Sequence, residues 1–430
     1  MISILVYPNI TYSKDLEKDS YVVVLSNVIK ELNKVRDDLF FTILSPKFIK
    51  SLKFHNTKQI PIQLPTYPNQ MRLHFNSIKL LEAIDWKNND YDIVYSHLPE
   101  HTLQLKNLFY NETNERPVFV GYTHWTEFKE ITGYPETVID INILGLLAMD
   151  ACGVNTLAQK NMIINAAKEN YNQSVINKLE KTLRPMYLGS EKPEYDKNVK
   201  DLDKKVIVFN HRPHKYKRYD WFLSQMDKLW EQRKDFEVWV PLAESVEKPY
   251  MTNDKYDRHG YFTKLSQCFV GVCCKQLYAG WAISATDGMS VGVPYLFSDD
   301  RYYHELADDS GLFYKDEKDF NSIINKLLDD KNIRASYSNK SLSRFEDMLW
   351  EKQIVEFNDM IDSAILQIPK MKKPTKSYNK MKKYIKKHGN VSKRDLLNYM
   401  NWGVRIGFSG YRNRLRNDGI DVQHDSYTYA

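Results

Sequence analysis

Four cysteines in 430 residues are too few and too poorly spaced to carry a structural role. Cys152, Cys268, Cys273 and Cys274 form no CxxC pair and no Cys/His pattern of metal-ligand spacing. Reduced, buried thiols in a cytoplasmic compartment are therefore expected, and a disulfide scaffold is not. No run of eighteen apolar residues occurs, which argues against a membrane-spanning helix. The opening MISILVYPNI has no basic leader and reads as a first strand instead of a signal peptide. Also lacking is an Asp-x-Asp pair in a setting suited to holding a metal against a diphosphate. Asp299-Asp300 and Asp308-Asp309 are adjacent pairs in turns, so no metal is implied.

What is present is the composition of a soluble globular protein, 42% apolar and 27% charged, long enough for two or three domains. The net charge of +6 is unevenly placed. Lys370–Ala430 holds 15 Lys and Arg against 4 Asp and Glu, a net +11, so the preceding 369 residues carry −5. A slightly acidic body with a strongly basic tail implies a polyanionic partner reached through the C-terminus.

Along the chain, strand and helix patterns alternate. Ile2–Tyr7, Phe40–Leu44, Ile93–Tyr95, Val118–Tyr122 and Cys152–Val154 read as strands. A helix capped by Ser20 and the amphipathic runs Met71–Ile84, Leu98–Leu108 and Val138–Met149 fall between them. The alternation restarts after Pro185 with strands at Val206–Phe209, Phe236–Val240, Phe269–Val272, Tyr295–Phe297 and Leu312–Tyr314. Helices are expected there at Tyr219–Trp230, Ala285–Val291 and Phe320–Leu328. The fold class is α/β: two Rossmann-like lobes, residues 1–187 and 188–341, with a cleft between them. Leu342–Leu366 predicts one long helix that closes the second lobe or crosses back to the first.

A lysine- and proline-rich linker (367–377) leads to a small unit at 378–430. Tyr378–His388 predicts a helix ended by Gly389. Ser392 caps a second, Lys393–Met400, and Ser409 a third, Gly410–Asn417. A strand or hairpin follows at Ile420–Tyr429. Three helices and a terminal hairpin form the pattern of a winged helix-turn-helix. Lys393 and Arg394 on the second helix, with Tyr411, Arg412, Arg414 and Arg416 on the third, are the candidate nucleic-acid contacts. Docking of this basic unit on RNA, anionic lipid or an acidic protein stays open as the alternative.

The stretch with most chemistry is Val206–Phe222, VIVFNHRPHKYKRYDWF. A buried strand runs straight into a cation-dense turn and then a helix. Cations at the carboxyl end of such a strand suit a phosphate. This stretch, with Gly280–Pro294 (GWAISATDGMSVGVP), resembles the large retaining group of GT-B glycosyltransferases that use nucleotide-sugars. The resemblance covers about residues 1–366. In that family a strand ends in Gly-Arg with a Lys five residues later, and both cations hold the donor diphosphate. Here Arg212 and Lys217 stand at those places, with His211 in place of the glycine. The second of two family acids, which binds the ribose, corresponds to Asp287, while the first falls on Ala279. Gly260 matches a family glycine that follows a strand beside the base or the diphosphate. Glu305 matches a glutamate that begins a helix and is expected to be structural. In the first lobe, His124 and Glu127 of GYTHWTE match the turn near the donor sugar and acceptor, with Glu127 a base if the reaction inverts. His97, in YSHLPEH, holds a similar strand-end position.

Together with the basic tail, the resemblance narrows to bacteriophage enzymes that glycosylate hydroxymethylated bases such as 5-hydroxymethylcytosine in double-stranded DNA. It implies a UDP-sugar as donor, no obligatory metal, and retention favoured over inversion. Two other readings stay open: a cell-envelope glycosyltransferase with a membrane-touching tail, and a non-catalytic, sugar-nucleotide-sensing DNA-binding regulator.

Overall fold

The computed structural model describes residues 2–9, 20–46, 56–62, 74–86, 89–113, 116–124, 126, 136–197, 205–276, 280–368, 376–400, 415, 420–422 and 426–429. The first lobe alternates β1 (Ile2–Tyr7), α1 (Ser20–Val35), β2 (Leu39–Pro46), β3 (Thr57–Ile62), α2 (Ser77–Ala83), β4 (Ile93–Ser96) and α3 (Pro99–Glu112). It continues through β5 (Val118–Thr123), α4 (Glu136–Ala148), β6 (Ala151–Val154), α5 (Leu157–Asn170), α6 (Gln173–Thr182) and β7 (Leu183–Pro185). Among the described residues these strands form one parallel sheet in the order β3-β2-β1-β4-β5-β6-β7. The strands at its centre are buried throughout, because helices cover both faces and leave no wet side to alternate with.

The second lobe runs β8 (Lys205–Val208), α7 (Tyr219–Gln232), β9 (Phe236–Trp239), β10 (Met251–Thr252), α8 (Arg258–Ser266), β11 (Val270–Cys273), α9 (Ile283–Ser290), β12 (Tyr295–Ser298), α10 (Arg301–Ala307), β13 (Gly311–Tyr314) and α11 (Glu317–Asp329). Its sheet is also parallel, ordered β10-β9-β8-β11-β12-β13. Each sheet therefore reverses its strand order once, between β1 and β4 and between β8 and β11. Open α/β sheets bind ligands outside the strand ends at such points.

One expectation is corrected. Residues 342–366 are not a single helix: α12 (Lys331–Asp347) ends at Met348 and α13 (Trp350–Ile365) starts afresh after Leu349. The break lets α13 turn back onto the first lobe, where Phe357 stacks on Tyr122 at 5.6 Å. Arg36, at the end of α1, also reaches Asp362 on α13. Trp350 lies so close to the connecting segment that a Cβ on Gly189 would come within 2.4 Å of its ring. One apolar core thus runs from Val6 and Tyr122 through Phe357 to Tyr295. The other departures are shorter. Among the described residues of the Met71–Ile84 run the helix covers 77–83, with the Asn76 side chain accepting from Lys79 N. β3 and the helix pair α5–α6 add elements that the alternation alone did not single out.

A second tie joins the lobes. The Glu305 carboxylate, on α10, accepts from the backbone N–H groups of Leu157 (2.6 Å) and Ala158 (2.7 Å) at the start of α5. Tyr187 also donates to it, at 3.1 Å. The expected structural role of Glu305 takes this form: it caps a helix of the other lobe.

The C-terminal unit comprises α14 (Lys376–His388), β14 (Val391–Ser392), α15 (Lys393–Met400), β15 (Ile420–Val422) and β16 (Ser426–Tyr429). Its antiparallel sheet has the order β14-β16-β15. Met381, Ile385, Val391, Leu396, Met400, Leu415 and Ile420 form its core. Ser392 caps α15 by accepting from Asp395 N. The expected third helix, Gly410–Asn417, lies outside the described residues except for Leu415, which is helical and buried.

Candidate functional site

β8 leads into Phe209-Asn210-His211-Arg212, and each residue there has a distinct fate. Phe209 is buried and stacks on Phe222 of α7 at 4.6 Å. Asn210 Nδ2 donates to the Ser284 carbonyl (2.6 Å) and to the Tyr261 hydroxyl (3.0 Å), while its Oδ1 accepts from Tyr295 (3.1 Å). His211 is buried, its Nδ1 2.6 Å from Ser284 Oγ and its Nε2 3.0 Å from Cys273 Sγ. Burial, reinforced by the nearby Lys217 charge, holds its pKa well below the usual imidazole value. A neutral histidine therefore stitches β8 to β11 and α9 where the resemblance has a glycine. Arg212 is exposed, beside the Tyr216 phenol.

The following one-turn 3-10 helix, Lys215–Lys217, is capped by His214. Arg218 then takes up a left-handed conformation (φ 56°) to start α7. This turn carries the half-buried Lys217 across to β11, where its Nζ donates to Gln276 Oε1. Gln276 is itself fixed: its Nε2 donates to Tyr303 (2.9 Å) and its backbone N–H to Tyr302 (2.8 Å). Burial first, and then the charge of Arg212, push the Lys217 pKa down to about 8, against the opposing influence of Cys273. No carboxylate neutralises Lys217 among the described residues; its hydrogen-bond partner is a neutral amide.

Asp287 lies within α9, so it is not the cap of that helix. Tyr261 donates to its Oδ2 at 3.5 Å. Burial raises its pKa to about 7, opposed by Arg258 and by the Tyr261 hydrogen bond. The Tyr295 ring fits between two glycines: a Cβ on Gly271 or Gly288 would lie 2.3 Å from it. That fit lets the Tyr295 hydroxyl hold Asn210 and the Ser284 carbonyl. Through Asn210 and Tyr261 the strand end and Asp287 belong to one hydrogen-bonded unit. Asn210, Tyr261 and Tyr295 support that unit, and Gln276 separately supports Lys217. Gly260 is placed differently from expectation. It lies in the first turn of α8, its N–H bound to Asp257 Oδ1 (2.8 Å), several residues beyond β10. A cavity of about 410 Å³ opens on the other side of residues 274–275, between Arg218, Trp221, Lys275, Asp300, Tyr314 and Lys315.

In the first lobe, His124 stands just past β5. Its ring lies 4.6 Å from Tyr21, 4.8 Å from Tyr122 and 5.6 Å from His97. Its carbonyl accepts from Asn155. Glu127 lies outside the described residues, as do Ala279, Tyr411, Arg412, Arg414 and Arg416. Lys393 and Arg394 open α15 as expected. Among the described residues no group of His, Cys, Asp or Glu is placed to hold a metal ion, and no helix is long and apolar enough to cross a membrane.

No protein-family model matches the chain, and no curated protein sequence does. Solved structures do. The sucrose-phosphate synthase of Thermosynechococcus elongatus superposes with a TM-score of 0.67 at 12% identity, over 85% of this chain and 100% of the other. HepE of Anabaena, in complex with UDP and glucose, gives 0.60 at 11% identity over 84% and 100%. A trehalose-6-phosphate synthase gives 0.61 at 10% over 84% and 99%. The chain has the GT-B fold. In that fold the turn that carries Lys217 follows β8 at the strand-order reversal of the second lobe, and His124 lies beside that of the first.

Proposed function

We propose that this chain transfers a sugar from a UDP-sugar to a hydroxymethylated base, foremost 5-hydroxymethylcytosine, in double-stranded DNA, with retention at the anomeric carbon. The observation that carries the donor half is Lys217. An ammonium withdrawn from water without a counter-ion is costly, and here the cost appears as a lowered pKa. A diphosphate supplies the missing counter-charge. When the bond between the anomeric carbon and the phosphate oxygen breaks, negative charge grows on the departing UDP, and Lys217 and Arg212 stabilise it. As that bond breaks, the acceptor hydroxyl oxygen bonds to the anomeric carbon on the same face and its proton passes to the departing phosphate oxygen, so that UDP leaves. Asp287 accepts hydrogen bonds from the ribose hydroxyls, and His124 adjoins the transferred sugar. HepE, which shares this fold, is bound to UDP and glucose in one structure and to UDP-glucose in another.

The acceptor half is supported by the tail, with its net +11. Helix, short strand, helix and terminal hairpin, with the first strand pairing the last, agree with the winged-helix order. Holding duplex DNA through a tethered module raises the local concentration of a base hydroxymethyl group at the cleft.

The test mixes the full chain with UDP-glucose and duplex DNA with or without 5-hydroxymethylcytosine, and weighs the bases. Added hexose on the modified duplex alone is expected; UDP-glucose left unconsumed with every duplex defeats the reading. Removing residues 370–430 should cut DNA affinity by roughly 10³-fold or more at moderate salt and leave UDP-glucose affinity intact. Equal loss of both would show that the tail is part of the donor lobe's fold. Binding to acidic vesicles without a preference for DNA would favour the cell-envelope alternative.

A further inference from the structure

His97 begins where β4 ends, at the reversal of strand order in the first lobe. Its backbone N–H is tied to the Tyr7 carbonyl at 3.0 Å, so the residue is pinned to β1. The side chain is 3% exposed. Nε2 lies 3.3 Å from the Tyr95 hydroxyl, and Nδ1 has no hydrogen-bond partner among the described residues. The rings of Tyr95, His124 and Tyr21 stand 5.1, 5.6 and 6.2 Å away. A buried polar atom with no partner is rare, because its lost hydration is not replaced.

Resting on the reading above, we propose that His97 Nδ1 binds a hydroxyl group of the substrate. Burial pushes the imidazole pKa down to about 3, so the ring is neutral across the working range and acts as a hydrogen-bonding partner, not as a base. The nature of the ligand follows from the neutral ring. If Tyr95 donates to Nε2, Nδ1 carries the proton and needs an acceptor. If Nε2 donates to Tyr95, Nδ1 offers a lone pair and needs a donor. A hydroxyl satisfies either tautomer, whereas a phosphate oxygen satisfies one. An apolar group satisfies neither. The ring of His124, assigned above to the transferred sugar, stands perpendicular to that of His97 at 5.6 Å. Two hydroxyl sources fit: the transferred sugar and the hydroxymethyl group of the base.

The experiment compares wild type with His97→Phe and His97→Gln, using UDP-glucose with and without duplex DNA containing 5-hydroxymethylcytosine. His97→Phe should lower kcat/KM about tenfold to a hundredfold while Tm stays the same or rises, because the unsatisfied atom has gone. His97→Gln, whose amide can both donate and accept, should recover part of the loss. If the hydroxyl belongs to the sugar, slow hydrolysis of UDP-glucose without DNA falls in step with transfer. If it belongs to the base, only transfer falls and the KM for DNA rises. A His97→Phe protein with unchanged kcat/KM in both arms overturns the proposal. Should that variant not fold, ring ¹⁵N spectra of the wild-type chain decide: the His97 Nδ1 resonance must move on adding UDP-glucose or modified duplex, and silence with both overturns it. A wild type that consumes no UDP-glucose defeats the transferase reading and this proposal with it; a His97→Phe variant as active as the wild type defeats this proposal alone.

Discussion

At the reversal of strand order in its sheet, the second lobe places Arg212 and Lys217 beyond β8, and the first lobe places His97 and His124 beyond β4 and β5. The two crevices share a topology and differ in charge. Lys217 keeps a cation half out of water, and its hydrogen-bond partner among the described residues is a neutral amide. His97 is neutral and surrounded by rings. A nucleotide-sugar and its acceptor present the same contrast, with anionic oxygens at one end and hydroxyls at the other. The fold supplies two equivalent ligand positions, and side chains decide which end each receives.

The sharpest way to break the comparison is to remove charge from one crevice only. Lys217→Ala should lower kcat by about 10²–10³-fold, equivalent to roughly 3–4 kcal/mol of lost transition-state stabilisation. Its effect on DNA affinity should be nil. Single-turnover transfer from UDP-glucose separates this from weaker donor binding. A loss confined to KM would mean that Lys217 binds ground state and transition state alike.

Next in size comes the tie between the lobes. Glu305→Ala removes a carboxylate that bridges two N–H groups at the start of α5 and leaves those donors uncapped. Caps and charge-assisted hydrogen bonds of this kind contribute about 1–2 kcal/mol. Denaturant unfolding should register that loss. Because the tie spans both lobes, UDP-glucose turnover should fall while affinity for UDP alone stays near wild type. If UDP affinity drops as well, Glu305 supports the donor crevice directly.

The legible parts of the chain were those where one local signal sufficed. β8 is an apolar run that meets cations without a gap, and the Arg212–Lys217 spacing is visible by eye. Ser392 before Lys393 announced its helix, and the cap is present. The break between α12 and α13 was hidden because Met348, Leu349 and Trp350 are all apolar and continue the amphipathic pattern across it. β3 escaped because an edge strand containing Lys58, Gln59 and Pro61 lacks an apolar signature. The supports of the site were out of reach for a different reason. Asn210, Tyr261, Gln276 and Tyr295 come from four separate segments, and only the sheet order brings their hydroxyls and amides together. Likewise, nothing about His211 in the sequence distinguishes a phosphate ligand from the buried, neutral strut that it is.

The smallest effect to seek is also the most specific to the donor crevice: how affinity for UDP-glucose varies with pH. Its diphosphate is doubly esterified and does not titrate near neutrality, so changes belong to the protein. Lys217 titrates at about 8 in the unliganded chain, and the diphosphate binds its charged form. Above pH 8 the lysine must take up a proton to bind, and affinity falls by up to tenfold per pH unit. Asp287 titrates at about 7, and ribose hydroxyls donate to its ionised form. Below pH 7 the carboxyl must lose a proton to bind, so affinity falls there too. Calorimetric titrations from pH 6 to 9 should therefore give a maximum between about 7 and 8. Lys217→Ala should erase the alkaline limb and Asp287→Asn the acidic one, whereas His97→Phe should leave the shape of both, since that imidazole stays neutral throughout. A flat wild-type profile would place the donor's charged end away from these two residues, and the contrast between the crevices would then have to rest on other groups.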